Sequence, residues 1–547
     1  MKKIFTILFI LISGVFQIVQ TQIQRKYEPI ILKCDTLSDF QGFKIDHLYM
    51  FSYNAAMDQW QMVPFQFDEI NLAGDEAEKY FLPDDSLLDE DDELVFMAAD
   101  LGDKAERGSW VPGTDTLRIE LAFYDSTDHS SGYVYLYHSD KTLGTIPDWY
   151  KMQYDAENDR VSSVNYVVGF NNTGQLGDVS IKSLSGEIGT DIFDRIKIRI
   201  YLSFFSFFLA ADEDSVRLNR AYAKQGPVRV IRNMEGSFLY RPYFSEETFT
   251  QTSFFYPYNA WFKLIDIPIG QIKSVPGLKI DEFRVSWDYS SNAKNMFFYS
   301  EFNKQQTILI DGNKANDNVD ITCYPNDLNW TMITGNEGTM LNIFYVPPFG
   351  DNIQLYYHEA TDGSTGDYQS LLSYDTGDLL SYGDNGFSLI NNIELYITKE
   401  TAFNFVYYNF FLKKNFSPDS ASLLCEKIRH PLGYNVTLEK STSTSVMAKK
   451  NIMKPDGFYL VQNYPNPFNS STTIKFGLIH DSYISLKIYD SLSRLVATLI
   501  DDNLRAGKYD IVWDGKDYNG NLLSSGIYFC RLTNRRDMVC RKLILIK

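Results

Sequence analysis

The sequence predicts an all-β protein built from several domains, and three observations carry that reading. Apolar and polar residues alternate with period two in many short runs, the mark of half-buried strands. No long stretch shows a helical apolar period. Aromatic residues make up 15% of the chain, with 39 Phe and 37 Tyr, and such rings pack well on a pleated surface. At 547 residues the chain exceeds what one hydrophobic core usually supports.

The strands can be placed in order. Leu117–Phe123 and Tyr133–Tyr137 alternate on either side of the polar stretch Asp125–Gly132, which reads as a hairpin. Val228–Arg232, Phe283–Trp287 and Ile393–Ile397 have the same texture. A single helix is expected around Asp419–Lys427. The apolar run Ile200–Ala211, closed by Asp212-Glu213-Asp214, is expected to be buried. These runs suggest an N-terminal β-sandwich-like unit over 25–140 and a large central β-sandwich or supersandwich over 141–440. A polar, Ser/Thr-rich linker follows over 441–455, then a C-terminal Ig-like β-sandwich over 456–547.

Met1-Lys2-Lys3, the apolar run Ile4–Phe16 and the more polar Gln17–Gln24 read as a signal peptide over 1–21. The apolar run is short for a membrane span, and the mature chain is expected to have no transmembrane helix. The formal charge of −19 repels phosphate backbones and argues against a nucleic-acid partner. Such a surface suits an extracellular protein. Cys34, Cys323 and Cys425 form no metal-ligand or redox spacing. Cys530 and Cys540 flank Thr533–Asp537, which reads as a hairpin turn, so they are a candidate disulfide on neighbouring strands.

The last unit holds the sharpest pattern. Asn463-Tyr464-Pro465-Asn466-Pro467-Phe468-Asn469 leads into Thr472-Thr473-Ile474-Lys475-Phe476. Ile484–Asp490, Leu495–Leu499 and Ala506–Tyr509 follow, and then Trp513-Asp514-Gly515 and Gly526-Ile527-Tyr528. Pro465 and Pro467 lack backbone donors and suit an extended edge. The Gly turns and short alternating strands suit a small antiparallel sandwich. This order of motifs resembles the C-terminal sorting domain of the type IX (Por) secretion system, which is related to the FlgD-type Ig-like domain. The resemblance implies passage through the Sec translocon and the periplasm, then recognition by the type IX machinery. It further implies a secreted or cell-surface product at the exterior of the outer membrane. Tyr464, Pro465, Asn466, Pro467, Phe468, Trp513, Asp514, Gly515, Gly526 and Tyr528 carry it.

The body is less explicit. Trp60–Glu69 precedes an acidic run in which Asp84, Asp85, Asp89 and Asp91 offer hard oxygen ligands for Ca²⁺. The alternative is an acidic turn ahead of the buried strand Leu94–Met97. Gly226-Pro227-Val228-Arg229-Val230-Ile231-Arg232 is followed by an aromatic stretch from Phe238 to Trp261. That texture resembles the β-supersandwich of galactose-mutarotase-like and polysaccharide-lyase-associated proteins. The resemblance implies aromatic faces that stack on sugars and Arg groups that bind hydroxyls or carboxylates. On that reading Arg232, Tyr240, Arg284 and His358 are the catalytic candidates. None of the six histidines sits in a zinc-hydrolase spacing, and no nucleophile elbow, P-loop or dinucleotide fingerprint occurs in a suitable context. With the export signals and the aromatic richness, the supersandwich resemblance implies a body that binds or processes polysaccharide. The alternative is a non-catalytic structural or adhesion protein whose aromatics are core.

Overall fold

The computed structural model describes residues 22–545 apart from 73, 75–77, 84, 206, 239–246, 268–276, 314–317, 326, 347–352, 365–374, 391–402, 442–448, 451–458, 461–462, 464–467, 470, 479–481, 491–493, 506, 518–520, 525 and 535–537. The signal peptide, Asp84, Tyr240, the run 393–397 and Tyr464 to Pro467 lie outside the described residues. Within them the chain is all-β, with seven sheets and a single α-helix, Pro418–Arg429. That helix starts where the sequence predicts one. Ser417 caps it by accepting from the Ser420 amide at 3.2 Å, and Pro418 opens the first turn.

The chain forms two compact units, one through residue 450 and one from residue 451. The boundary expected near residue 140 does not separate two bodies. Gly433–Lys440 returns to pair along its whole length with Leu117–Tyr124, completing a six-stranded sheet begun by the N-terminal segment. The predicted hairpin is present in that sheet, as Leu117–Tyr124 against Ser131–His138.

A continuous apolar run explains the fusion. Glu93–Met97 lies centrally in a three-stranded sheet with Pro29–Lys33 and Phe65–Asp68. Leu94 and Phe96 point into the N-terminal core with Leu121, Val134 and Leu136. Val95 and Met97 point the other way, into the large central core with Trp287, Phe344 and Tyr407. A strand buried on both faces cannot show alternation, and burying it requires both halves at once.

The central region holds three sheets. Gln153–Asp191 forms a five-stranded meander. A second five-stranded sheet runs Phe207–Ala211, Phe193–Phe204, Leu278–Tyr289, Ser381–Ile390, Ile353–Ala360. The third is a nine-stranded sheet that includes Val216–Gln225, Val230–Phe238, Glu247–Phe255, Asn259–Ile267, Phe403–Leu412 and Gly338–Val346 in that spatial order. The run Ile200–Ala211 departs from expectation. It forms a hairpin in which Ile200 and Leu202 are buried, whereas Phe205 and Phe207 at the tip are 81% and 73% exposed. Its apolar character is used only at the base.

The C-terminal unit is a sandwich of a three-stranded and a four-stranded sheet. Ile474, Phe476, Ile484, Leu486, Ile488, Leu532 and Leu543 fill it. Phe468, Trp513 and Tyr528 meet at one end, with ring centroids 5.5 and 5.8 Å from Trp513. The indole donates to the Lys516 carbonyl at 3.1 Å, and Gly515 adopts φ +66°, a turn conformation that favours glycine. Asp514 pairs with Lys516, and Gly526 begins the strand that carries Tyr528. The described residues of the motif, Phe468, Trp513, Asp514, Gly515, Gly526 and Tyr528, are thus built into this sandwich. The expected cysteine pairing is not what the register provides. Cys530 stands opposite Arg541 and Cys540 opposite Arg531, one step out of the opposed arrangement of a cross-strand disulfide.

Candidate ligand pocket on the nine-stranded sheet

Two segments that stand apart in the sequence dock on each other. The side-chain carbonyl of Gln66 accepts from the backbone amides of Val228 and Arg229 at 3.1 and 2.7 Å. It lies so close to Gly226 that a Cβ there would come within 2.3 Å of it, so glycine is required by the approach itself. Asp68, two residues on, accepts from Arg229 Nε at 2.8 Å and Nη2 at 2.5 Å, and Glu93 accepts from Nη2 at 2.8 Å. Arg229 is fully buried, and paired carboxylates are what a buried guanidinium requires.

Strand alternation puts Arg229 and Ile231 on one face of the sheet. The register carries that face across Phe254, Trp261 and Tyr408. Both ends of this face are covered. Ile70 and Tyr80 pack on Ile231, and helix Pro418–Arg429 packs on Ile343 and Trp330 through Ala421, Leu424 and Cys425. Between the covers lies a cavity of about 250 Å³, walled by Tyr80, Phe254, Tyr256 and Trp261, with Lys79, Glu93, Arg229, Thr252 and Lys263 supplying polar groups.

The chemistry of the lining is specific. Tyr80 donates to Glu93 at 3.2 Å, so the one lining carboxylate is committed to Tyr80 and Arg229. Burial pushes the Tyr80 phenol well above its ordinary range, so it stays a neutral donor. Tyr256 and Trp261 sit 5.0 Å apart at 55°. Trp261 Nε1 is shielded from solvent and has no hydrogen-bond acceptor among the described residues. A buried indole N–H normally finds a partner. Here it is a donor held in reserve.

The residues singled out from sequence fall elsewhere. Arg232 points to the other face, where Asp159 holds it at 2.9 and 2.5 Å and Phe170 lies 3.6 Å beneath it. It braces the nine-stranded sheet against the meander. Arg284 and His358 share the polar face of the second five-stranded sheet, where Arg284 stacks 4.1 Å over Tyr356 and His358 Nε2 meets the Ser364 carbonyl at 3.0 Å. The centre of that face is Lys197, held by Asp288 and Asp375, both at 2.7 Å, and by Asp384 at 3.7 Å. Among the described candidates, Arg232 does not converge with Arg284 and His358. The acidic run near residue 85 serves turns: Asp85 accepts from the Leu87 amide and Asp89 from the Asp91 amide, both at 2.9 Å. Asp85, Asp89 and Asp91 do not gather into a cation-coordinating group. Sequence reasoning missed Tyr80, Arg229, Trp261 and Lys263. The signal was present in part, because Arg229 lies in the 226–232 segment and Trp261 ends the aromatic stretch, but only the register places them together.

Residues 462–547 match the family model described as the secretion system C-terminal sorting domain. The C-terminal region is a type IX sorting domain. The protein is therefore a type IX secretion cargo, exported to the cell surface or the extracellular space. Among the described residues no helix is long and apolar enough to cross a membrane. No curated protein matches the chain. Among solved structures it is similar to an alpha-mannosidase from Enterococcus faecalis, at 8% identity and TM-score 0.40, covering 89% of this chain and 54% of that one. It is also similar to PorZ, a surface component of the type IX system of Porphyromonas gingivalis (11% identity, TM-score 0.13, 76% and 49% covered). Dimeric latent PorU from the same organism matches at 10% identity and TM-score 0.15, with 95% and 48% covered. The chain spans about half the length of these proteins, and likenesses so loose transfer neither fold nor function.

Proposed function

We propose that this type IX cargo binds polysaccharide through its body, at the pocket between Tyr80 and Trp261, and that the ligand is an acidic sugar unit. The unpartnered Trp261 donor, set among aromatic faces in a polar cavity, carries the reading. Sugar rings offer apolar faces for Tyr and Trp and hydroxyl acceptors for an indole N–H. The cavity is smaller than the pockets that hold drug-sized molecules, so it suits one terminal or branching sugar, not a chain threaded through it. With Arg229 matched by Asp68 and Glu93, the lining cations Lys79 and Lys263 favour a uronate or sulfated unit over a neutral one.

Binding fits the pocket better than hydrolysis. Glycosidases need two carboxyl groups on either side of the bond, and Glu93 is the single lining carboxylate and is tied to Arg229. The adhesion reading of the chain is thereby compatible with a glycan ligand.

Retention of the purified full chain on immobilised acidic and neutral polysaccharides tests this. Retention on acidic supports, lost in Trp261→Ala, is expected. Failure to bind any glycan, or equal retention of Trp261→Ala, contradicts it.

A further inference from the structure

Away from the pocket, we propose that His47, His138 and Asp140 form a binding site for one zinc-class divalent metal ion on the six-stranded sheet of the body. Their ligand atoms all lie within 4.8 Å of one another. Asp140 Oδ1 is 3.4 Å from His47 Nδ1 and 3.9 Å from His138 Nε2. Bonds of about 2.0–2.1 Å in tetrahedral geometry put neighbouring ligand atoms roughly 3.4 Å apart. One distance already fits, and the other closes by a small movement of Asp140, whose side chain is 82% exposed.

The fold explains the gathering. His47 ends a 3-10 turn that feeds directly into strand Leu48–Asn54, and His138 ends strand Ser131–His138. The register sets Leu48 opposite His138, and the Ser139 amide donates to the His47 carbonyl at 3.0 Å. The two imidazoles and the loop carrying Asp140 are thereby fixed at one corner of the sheet.

A separate observation points to a metal. Asp115 Oδ2 lies 2.5 Å from His138 Nδ1, and the His138 ring stacks on Phe43 with centroids 4.2 Å apart. With Nδ1–H donating to the Asp115 carboxylate, Nε2 is left as a lone-pair donor facing Asp140. This is the carboxylate–histidine–metal arrangement in which the outer partner fixes the tautomer and raises ligand basicity. Two imidazoles and one carboxylate suit zinc and its neighbours, not calcium, which prefers six to eight oxygens. Three protein ligands leave a fourth position to water or to a partner's donor group.

Titration of the tag-free full chain with Co²⁺, followed by visible absorption and displaced by Zn²⁺, tests the site. One equivalent with a tetrahedral spectrum is expected. His47→Ala and Asp140→Ala, both at the partly exposed side of the site, should abolish the spectrum while circular dichroism stays unchanged. Asp115→Asn, which leaves all three ligands, should weaken cobalt binding about 10–100-fold. His430→Ala, at an exposed histidine paired with Glu426, should bind as the parent does. The absence of a tetrahedral spectrum in the parent at millimolar cobalt, or its persistence in His47→Ala, overturns the proposal.

Discussion

Two buried cations in the body stand in contrast. Lys197 and Arg229 are each almost wholly enclosed, and each is held by carboxylates. Among the described residues, the polar groups around Lys197 bond chiefly one another and face no cavity, although Ser286 Oγ and Asp384 Oδ1 have no hydrogen-bond partner there. Arg199 reaches Asp375 and Glu213, Thr376 bonds Glu213, and Ser381 bonds Asp375. Around Arg229 the ion pairs close only on one side. On the other lie a cavity and an indole donor without an acceptor. A buried charge cluster is by itself weak support for function, since such clusters also occur as parts of the core. Vacant polar valence facing a cavity is the stronger sign.

The largest expected effect separates the two directly. Lys197→Met leaves Asp288, Asp375 and Asp384 without their shared cation and should lower unfolding free energy by about 3–5 kcal/mol in chemical denaturation. Burial already pushes Asp288 well above the usual carboxylate range, with Lys197 opposing that trend. Arg229→Met, which strips Asp68 and Glu93, should destabilise comparably. Only the Arg229 variant should also lose glycan retention when folded. Equal glycan binding by both would erase the distinction.

A third buried acid sharpens the contrast, because a phenol replaces the cation. Tyr150 donates to both oxygens of Asp100, at 2.9 and 2.8 Å. Burial pushes Asp100 up to about 7. The folded state then keeps a proton that the unfolded state releases near pH 4, so stability falls as pH rises from about 4 to about 7. Asp100→Asn should flatten that slope, a difference on the order of 4 kcal/mol between the ends of the window. An unchanged pH profile in denaturation would contradict it.

The smallest effect belongs to the pocket rim. Lys263→Met should leave stability within about 0.5 kcal/mol. It should weaken acidic glycan binding by roughly tenfold with little change for neutral glycans. Equal weakening for both would assign Lys263 to packing and not to charge recognition.

Legibility in the sequence followed the distance between paired strands. In the C-terminal sandwich Ser482–Asp490 pairs with Leu495–Leu504, and Gly526–Thr533 with Met538–Leu545. Such neighbours show their alternation and turns openly, so the unit was readable almost strand by strand. In the body, Leu117–Tyr124 pairs with Gly433–Lys440 and Asn259–Ile267 with Phe403–Leu412. No local pattern announces those pairings, and the two-faced burial of Leu94–Met97 hides its period. The pocket inherits the same difficulty. Arg229 stood in a recognisable segment, but Asp68 and Glu93 reach it from the N-terminal region. His47 and His138 likewise become neighbours only through the register at Leu48. Nothing in the local sequence ranks Arg229 above Arg232, because which face of the strand carries the cavity is a tertiary fact.

The most direct test of the central claim is a crystal structure of the exported chain soaked with whichever acidic oligosaccharide it retains. One sugar ring is expected between Tyr80 and Trp261, accepting a hydrogen bond from Trp261 Nε1 with its anionic group near Lys263. An empty pocket at saturating sugar, or a ring bound on another face, would contradict it.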